Sequence, residues 1–219
     1  MERKTGHVKA TRGYDGTRRR EQARQTREAI IGVARSRFLS DGFAPTTIAS
    51  IADAAGVSVD TIYKTFGGKP GLLRAMCETA LAGDGPIPAE ARSDALQTSE
   101  PDPRVIIRGF GALSAEVAPR IAPILLLIRD AAVADPEMAS LRAEMDTRRL
   151  TRMTDNACTL AAAGHLRDGI TAEHAGEILW TYSSPELYEL LIIVRGWTPD
   201  RYAAFIADAM TAALLSPAT

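Results

Sequence analysis

Cysteine is scarce in this 219-residue chain: Cys77 and Cys158 are the only two, and both fall in helical patterns. They cannot build a disulfide framework or a paired-cysteine metal site, and this usage suits a reducing compartment. The three histidines, His7, His165 and His174, are scattered and show no HExxH spacing, so no metal site is expected. Long apolar runs are lacking too. The longest, residues 121–128, contains Pro123 and is too short to cross a bilayer, and the polar, basic N-terminus does not resemble a signal peptide. A cytoplasmic protein with no membrane partner is the expectation. No alternating strand pattern, Asn-Gly hairpin or internal repeat occurs, so the fold class read from the sequence is all-α. Nor is there a GxSxG elbow, a phosphate-cradling loop or a dinucleotide fingerprint; Gly109-Phe110-Gly111 lies in an apparent helix with no strand before it. Asp130 and Asp135 read as solvated or capping side chains. No catalytic residues and no cofactor are expected, and an enzyme carrying an appended binding head is the remote alternative.

What is present is an asymmetry of charge. Residues 1–80 carry 14 Lys and Arg against 8 Asp and Glu, a balance of +6, whereas the remainder carries 12 against 19, a balance of −7. Local positive charge is what nucleic-acid binding draws on, because each neutralised phosphate releases counterions. The same pattern on its own also describes an ordinary solvated surface.

The basic half contains TTIASIADAAGVSVDTIYKTFGGKPGLL, residues 46–73. After Pro45, Thr46 or Thr47 can cap a helix whose buried stripe is Ile48, Ile51, Ala52 and Ala55. Gly56 closes it, with Val57 placed to pack back on the turn. Ser58 can cap a second helix with Ile62 and Phe66 facing inward; its other face is Val59, Asp60, Thr61, Tyr63, Lys64 and Thr65. Apolar anchors behind a row of hydrogen-bonding side chains is the division a major-groove recognition helix needs. Lys69 and Pro70 open a third helix, with Leu73, Met76, Cys77 and Ala80 on its buried side. Upstream, Ile30, Val33, Ala34 and Phe38 form the inward face of a supporting helix that Asp41-Gly42 stops.

AGVSVDTIYKTFGGKPGLL closely resembles the recognition-helix signature of the tetracycline-repressor (TetR) family of bacterial transcription regulators. The TT cap, the AGVS turn, IYKTF and the lysine three residues beyond it coincide here, and the resemblance is strong over residues 24–81. It implies a dimeric repressor of a palindromic double-stranded DNA operator, released when a small-molecule effector enters the C-terminal helices. It also implies that Thr47, Ser58, Tyr63 and Lys69 contact phosphates, while Val59, Asp60, Lys64 and Thr65 face bases or the groove wall. Asp60 departs from the family, which often has glycine there. A carboxylate at that position either accepts from a cytosine amino group or caps the helix start. A ligand-independent or partner-regulated DNA binder, activating or architectural, is the alternative function.

Four segments follow from these patterns. Residues 1–23 read as a basic flexible tail whose Arg18, Arg19 and Arg20 either touch DNA or are idle. Residues 24–81 form the helix-turn-helix head, and 82–102, rich in Gly, Pro, Ser and acid, read as a linker. Residues 103–219 form a larger helical regulatory and dimerisation domain. There Ile106, Phe110, Leu113 and Val117 make one stripe, and Pro119 precedes a separate apolar segment. Asp135-Pro136 starts a helix running to about Ala162, charged on one side through Arg142, Glu144, Arg148, Arg149 and Arg152. Thr171, Ser184-Pro185 and Thr198-Pro199 mark later helix starts or breaks. A pocket lined by Phe110, Leu113, Leu126, Met145, Met153, Trp180 and Tyr182 is the expected ligand site, for an apolar or cationic molecule, although such a stripe also describes ordinary core. Leu179, Trp180, Tyr182, Leu187, Tyr188, Leu190, Leu191, Ile192 and Val194, with Phe205, Ile206, Met210 and Leu214, offer apolar surface for a homodimer, although some of them also read as ordinary core.

Overall fold

The computed structural model describes residues 13–83 and 85–217. Among them the chain is helical without strands: α1 (Gly13–Asp41), α2 (Ile48–Ala55), α3 (Val59–Phe66), α4 (Lys69–Ala82), α5 (Ala89–Ser99), α6 (Pro103–Ala131), α7 (Pro136–Ala162), α8 (Ala172–Tyr182), α9 (Pro185–Tyr188), a π-helical turn over Glu189–Val194, and α10 (Pro199–Leu214). The starts are set by local side-chain chemistry. Asp135, Thr171, Ser184 and Thr198 each accept a hydrogen bond from a first-turn amide, satisfying donors the helix itself cannot. Proline follows three of these caps at the first helical position, where a missing N–H is harmless.

Three segments differ from the sequence reading. Helix α1 begins at Gly13, so Arg18, Arg19 and Arg20 stand exposed on a helix; residues 1–12 of the expected tail lie outside the described residues. The extension has no apolar stripe. It is carried by good helix formers and by charge pairs one turn apart, Glu21 accepting from Arg24 at 2.7 Å and Gln25 at 2.9 Å, and Glu28 accepting from Arg24 at 2.7 Å. The expected linker contains α5, held down by polar contacts: Arg92 donates with both arms to Glu116 at 2.6 and 2.8 Å, and Gln97 donates to Asn156 at 3.0 Å.

Helix α6 is also one element, not two, running unbroken through Pro119 and Pro123. Its length and hydropathy would suit a membrane span, but it is the central helix of the fold, packed by α1, α4, α5, α7, α9 and α10. Contacts on so many sides hold the helix across the amides those prolines lack. At Gly111 the approach of α10 is close: a Cβ there would lie 2.5 Å from the Ala203 carbonyl oxygen.

Two cores result. The first joins the head (Ile30, Phe38, Ile51, Ile62, Leu72, Met76) to Ile124 and Ile128 of α6 and Met138 and Leu141 of α7. The second packs Ile106 and Ile107 of α6 with Leu160, Leu179, Tyr202 and Ile206. The head is therefore seated on the larger domain through shared core, and α4, touching α6 and α7, is the principal joint.

Candidate nucleic-acid interface and effector cavity

The head presents α3 outward. Ser58 caps it, its hydroxyl oxygen accepting from the Thr61 amide at 3.1 Å, and Gly67 ends it at φ +77°, a left-handed conformation that other residues rarely adopt. Ile62 is fully buried against α2 and α4, while Val59, Asp60, Tyr63, Lys64 and Thr65 are exposed and Thr61 is half-buried. Tyr63, 53 % exposed, is the largest side chain on this face. At the start of α2, Thr47 accepts from the Ser50 amide at 3.0 Å, and Ser50 accepts from the Thr47 amide at 3.3 Å, closing a capping box. Two hydroxyls and two helix N-termini thus lie at the ends where backbone N–H groups favour an anion.

Asp60 is neither the cap nor free. Its carboxylate pairs with Lys64 one turn on, at 2.7 Å, in an exposed ion pair of the kind worth a few tenths of a kcal/mol. Lys69 is more constrained than the sequence suggests. Its ammonium donates to the Phe43 carbonyl at 2.8 Å and the Ala44 carbonyl at 3.5 Å, and lies 4.5 Å from the centre of the Phe43 ring. Partial burial lowers its pKa, with the Asp135 charge opposing. The lysine therefore ties the start of α4 to the turn between α1 and α2, with one of its three donors left over.

Beneath the head, a cavity of about 240 Å³ opens between α4, α5, α6 and α7. Phe110, Leu113, Met145 and Met153 line it as the sequence suggests; Leu126, Trp180 and Tyr182 do not. Leu126 is buried on another face of α6, and Trp180 instead stacks on Arg149, with the guanidinium 4.5 Å from its ring centre. The polar lining is what sequence reasoning missed. Arg148, Arg149, Arg152 and Asn156 border the cavity together with Ser93. Their spacing from Met145 and Met153, by threes and fours, was the available signal: they continue the inward stripe of α7 rather than forming a charged outer face. Cys77 also lines the cavity, and burial pushes its thiol pKa up to about 12, which leaves it protonated and unreactive at neutral pH.

Residues 30–76 match the family model described as bacterial regulatory proteins, tetR family. Over this head, the chain is similar to the tetR family. Over 62 residues it is 40 % identical to the HTH-type transcriptional regulator TtgR of Pseudomonas putida, an alignment covering 28 % of this chain and 30 % of that one. Over 97 residues it is 36 % identical to the HTH-type transcriptional regulator BetI 1 of Chromohalobacter salexigens, covering 44 % of each. The chain thus spans less than half the length of these curated relatives. Among solved structures it is similar to a SmeT–triclosan complex (TM-score 0.67, 20 % identity, 88 % of this chain and 92 % of that one). It is likewise similar to NalD, the secondary repressor of the MexAB-OprM multidrug efflux pump in Pseudomonas aeruginosa (TM-score 0.68, 20 % identity, 90 % and 100 %). At that identity the likeness establishes the fold: a tetR-type head on a larger helical domain.

Proposed function

We propose that this chain is a cytoplasmic transcriptional repressor of the tetR family that binds a palindromic operator as a homodimer and releases it when a small molecule occupies the cavity. The observation that carries this reading is α4, whose one face (Leu72, Leu73, Met76) is core of the head while Cys77, Glu78 and Leu81 border the cavity. Whatever fills the cavity presses on the helix that positions α3. In this reading Thr47, Ser58 and Tyr63, with the remaining donor of Lys69, hold phosphates, and Val59, Thr61, Lys64 and Thr65 address the major groove. Two heads related by a dyad would meet half-sites about 34–36 Å apart, or a multiple of that.

The apolar surface for a second copy lies at the π-helical turn and α10. Leu190, Ile193 and Val194 are 54 %, 57 % and 66 % exposed, and Phe205 of the last helix is exposed as well. Leu179, Ile206, Met210 and Leu214 belong to the protomer's own core.

Gel-shift titration with DNA flanking the protein's own gene tests the assignment of the head. Binding should weaken steeply with added salt and collapse in a Tyr63→Ala, Lys69→Ala double variant that retains the wild-type circular dichroism spectrum. Undiminished binding by that variant sinks the assignment. Compounds that raise the melting temperature and also release the operator support induction; stabilisation without release supports the ligand-independent reading.

A further inference from the structure

The long walls of the cavity differ in chemistry. Helix α6 lines it with Phe110, Leu113, Val117 and Ile121, an apolar stripe at spacings of three and four. Helix α7 lines it with Met145 and Met153, but also with Arg148, Arg149 and Arg152. Of these, Arg149 and Arg152 are largely buried, and guanidiniums held there are costly unless something compensates them.

Three other arginines that join helices each hold a carboxylate in a bidentate pair, although the buried Nε of Arg92 has no partner. Arg74 meets Glu144, Arg92 meets Glu116 and Arg129 meets Glu189, each through two hydrogen bonds, and each pairing raises the arginine's pKa. Arg149 stands apart. Its side chain is 15 % exposed, and its carboxylate contact is a single one, to the more exposed Asp146 at 3.3 Å. One arm donates to the Trp180 carbonyl and to the Ser183 hydroxyl at 3.4 Å, while its buried Nε has no partner. Burial lowers the pKa of this group, the opposite of the other three. One turn away, Arg152 donates to Asp94 at 2.6 Å and to the Glu90 carbonyl at 3.1 Å. Arg148 is exposed at the cavity margin, and Glu144, whose carboxylate feels its charge, is already bound by Arg74 through two hydrogen bonds. Two carboxylates, Glu78 and Glu90, also border the cavity; both are exposed, and Glu78 lies 3.8 Å from Arg27 of α1.

From this arrangement we infer that the cavity takes a small amphipathic anion, with an apolar body against α6 and a carboxylate held by Arg148 and Arg149 of α7. The inference rests on the reading of this cavity as the effector site and names the class of effector. Guanidinium forks match a carboxylate in plane and charge, and the anion supplies the compensation that Arg149 lacks. A cationic ligand would instead add a positive charge beside two arginines without bidentate carboxylate partners.

Titration calorimetry on the full chain with decanoate, decan-1-ol and decylammonium, which share one apolar body, tests this class. Decanoate should bind about tenfold or more tighter than the alcohol, as expected for charge-assisted hydrogen bonds, and decylammonium weakest. Arg148→Gln and Arg149→Gln should each weaken decanoate binding about tenfold. Arg149 is packed on Trp180, so if its variant does not fold, Arg148→Gln decides alone, its side chain being exposed. The inference is overturned if the alcohol or amine binds as tightly as decanoate, if none of the three binds, or if a folded Arg148→Gln variant binds decanoate undiminished. A parallel gel shift separates the two readings. Decanoate bound without operator release keeps the anion site and overturns induction; release by the amine or alcohol alone keeps induction and overturns the anion site.

Discussion

At the scale of single residues, the placement of the recognition helix turns on an atom that is not there. A Cβ on Gly71 would overlap the carbonyl oxygen of Phe66, the last residue of α3, so only glycine lets α4 start this close behind it. Gly71→Ala must push the two helices apart, and a loss of about 1–3 kcal/mol, read by denaturant unfolding, is expected together with loss of operator binding. Gly32→Ala is the contrasting change. It sits in the middle of α1 with nothing within 4 Å of the added methyl, and it should stabilise by up to about 1 kcal/mol. A second residue-scale prediction concerns Asp60. Its carboxylate pairs with Lys64 and, in the proposed reading, lies on the side of α3 that meets DNA. Asp60→Asn removes both effects, so affinity for non-operator DNA should rise severalfold at low salt, with a steeper salt dependence. An unchanged slope in a fluorescence-anisotropy titration would contradict that account.

At the scale of elements, what was legible in the sequence was what neighbours within a turn or two decide. The caps at Ser58 and Thr171, the Gly56 stop at φ +65° and the buried faces of α2 and α3 follow from spacing alone, whereas spacing left the α2 cap between Thr46 and Thr47 and left Ser184-Pro185 as a break or a start. The start of α1 and the existence of α5 did not, because both are held by polar side chains rather than by an apolar stripe. Lys69 shows the same limit: its partner Phe43 is 26 residues away, a distance over which periodicity says nothing. The ties between elements predict a pH dependence. Arg74 on α4 holds Glu144 on α7 through two hydrogen bonds, which lowers the carboxyl pKa from its ordinary 4.5. A carboxylate with a depressed folded value contributes its stability above the unfolded pKa and loses it as pH falls through the folded one. Melting temperature should therefore drop on acidification below about pH 4.5, the ordinary carboxylate value. Glu144→Gln should show a smaller drop over that range and a lower melting temperature at neutral pH. Equal pH profiles for the two proteins would remove this pair from the joint between head and cavity.

At the scale of the whole molecule, three exposed apolar side chains, Leu190, Ile193 and Val194, fall together where the chain leaves regular α-helical geometry. The Glu189–Val194 turn is π-helical and fully buries none of its six residues: Leu191 and Ile192 are half-buried against the second core, while Leu190, Ile193 and Val194 are exposed, although its sequence, ELLIIV, is almost wholly apolar. Wider π geometry is uncommon and costs hydrogen-bond quality, so a segment that keeps it while exposing leucine and isoleucine gains its compensation from something outside the protomer. A second copy is the occupant consistent with the proposed operator reading, and the anchoring is already visible. Glu189, at the start of the turn, is held by Arg129 of α6 at 2.7 and 3.2 Å, and Trp197 just beyond it packs edge-on to Phe205 of α10. This leaves the Ile193 and Val194 side presented on a braced support. Replacing Ile193 by Glu would put a charge into each half of a symmetric interface, twice, facing its own copy. The variant protomer should keep its fold, because Ile193 contributes to neither core, and sedimentation should move from dimer toward monomer. Operator binding should fall by well over tenfold, since two half-sites are then occupied independently instead of through one linked pair of heads. If the wild-type chain sediments as a monomer at micromolar concentration, or if the variant remains a dimer, the partner copy lies on another surface and the exposed turn needs a different occupant.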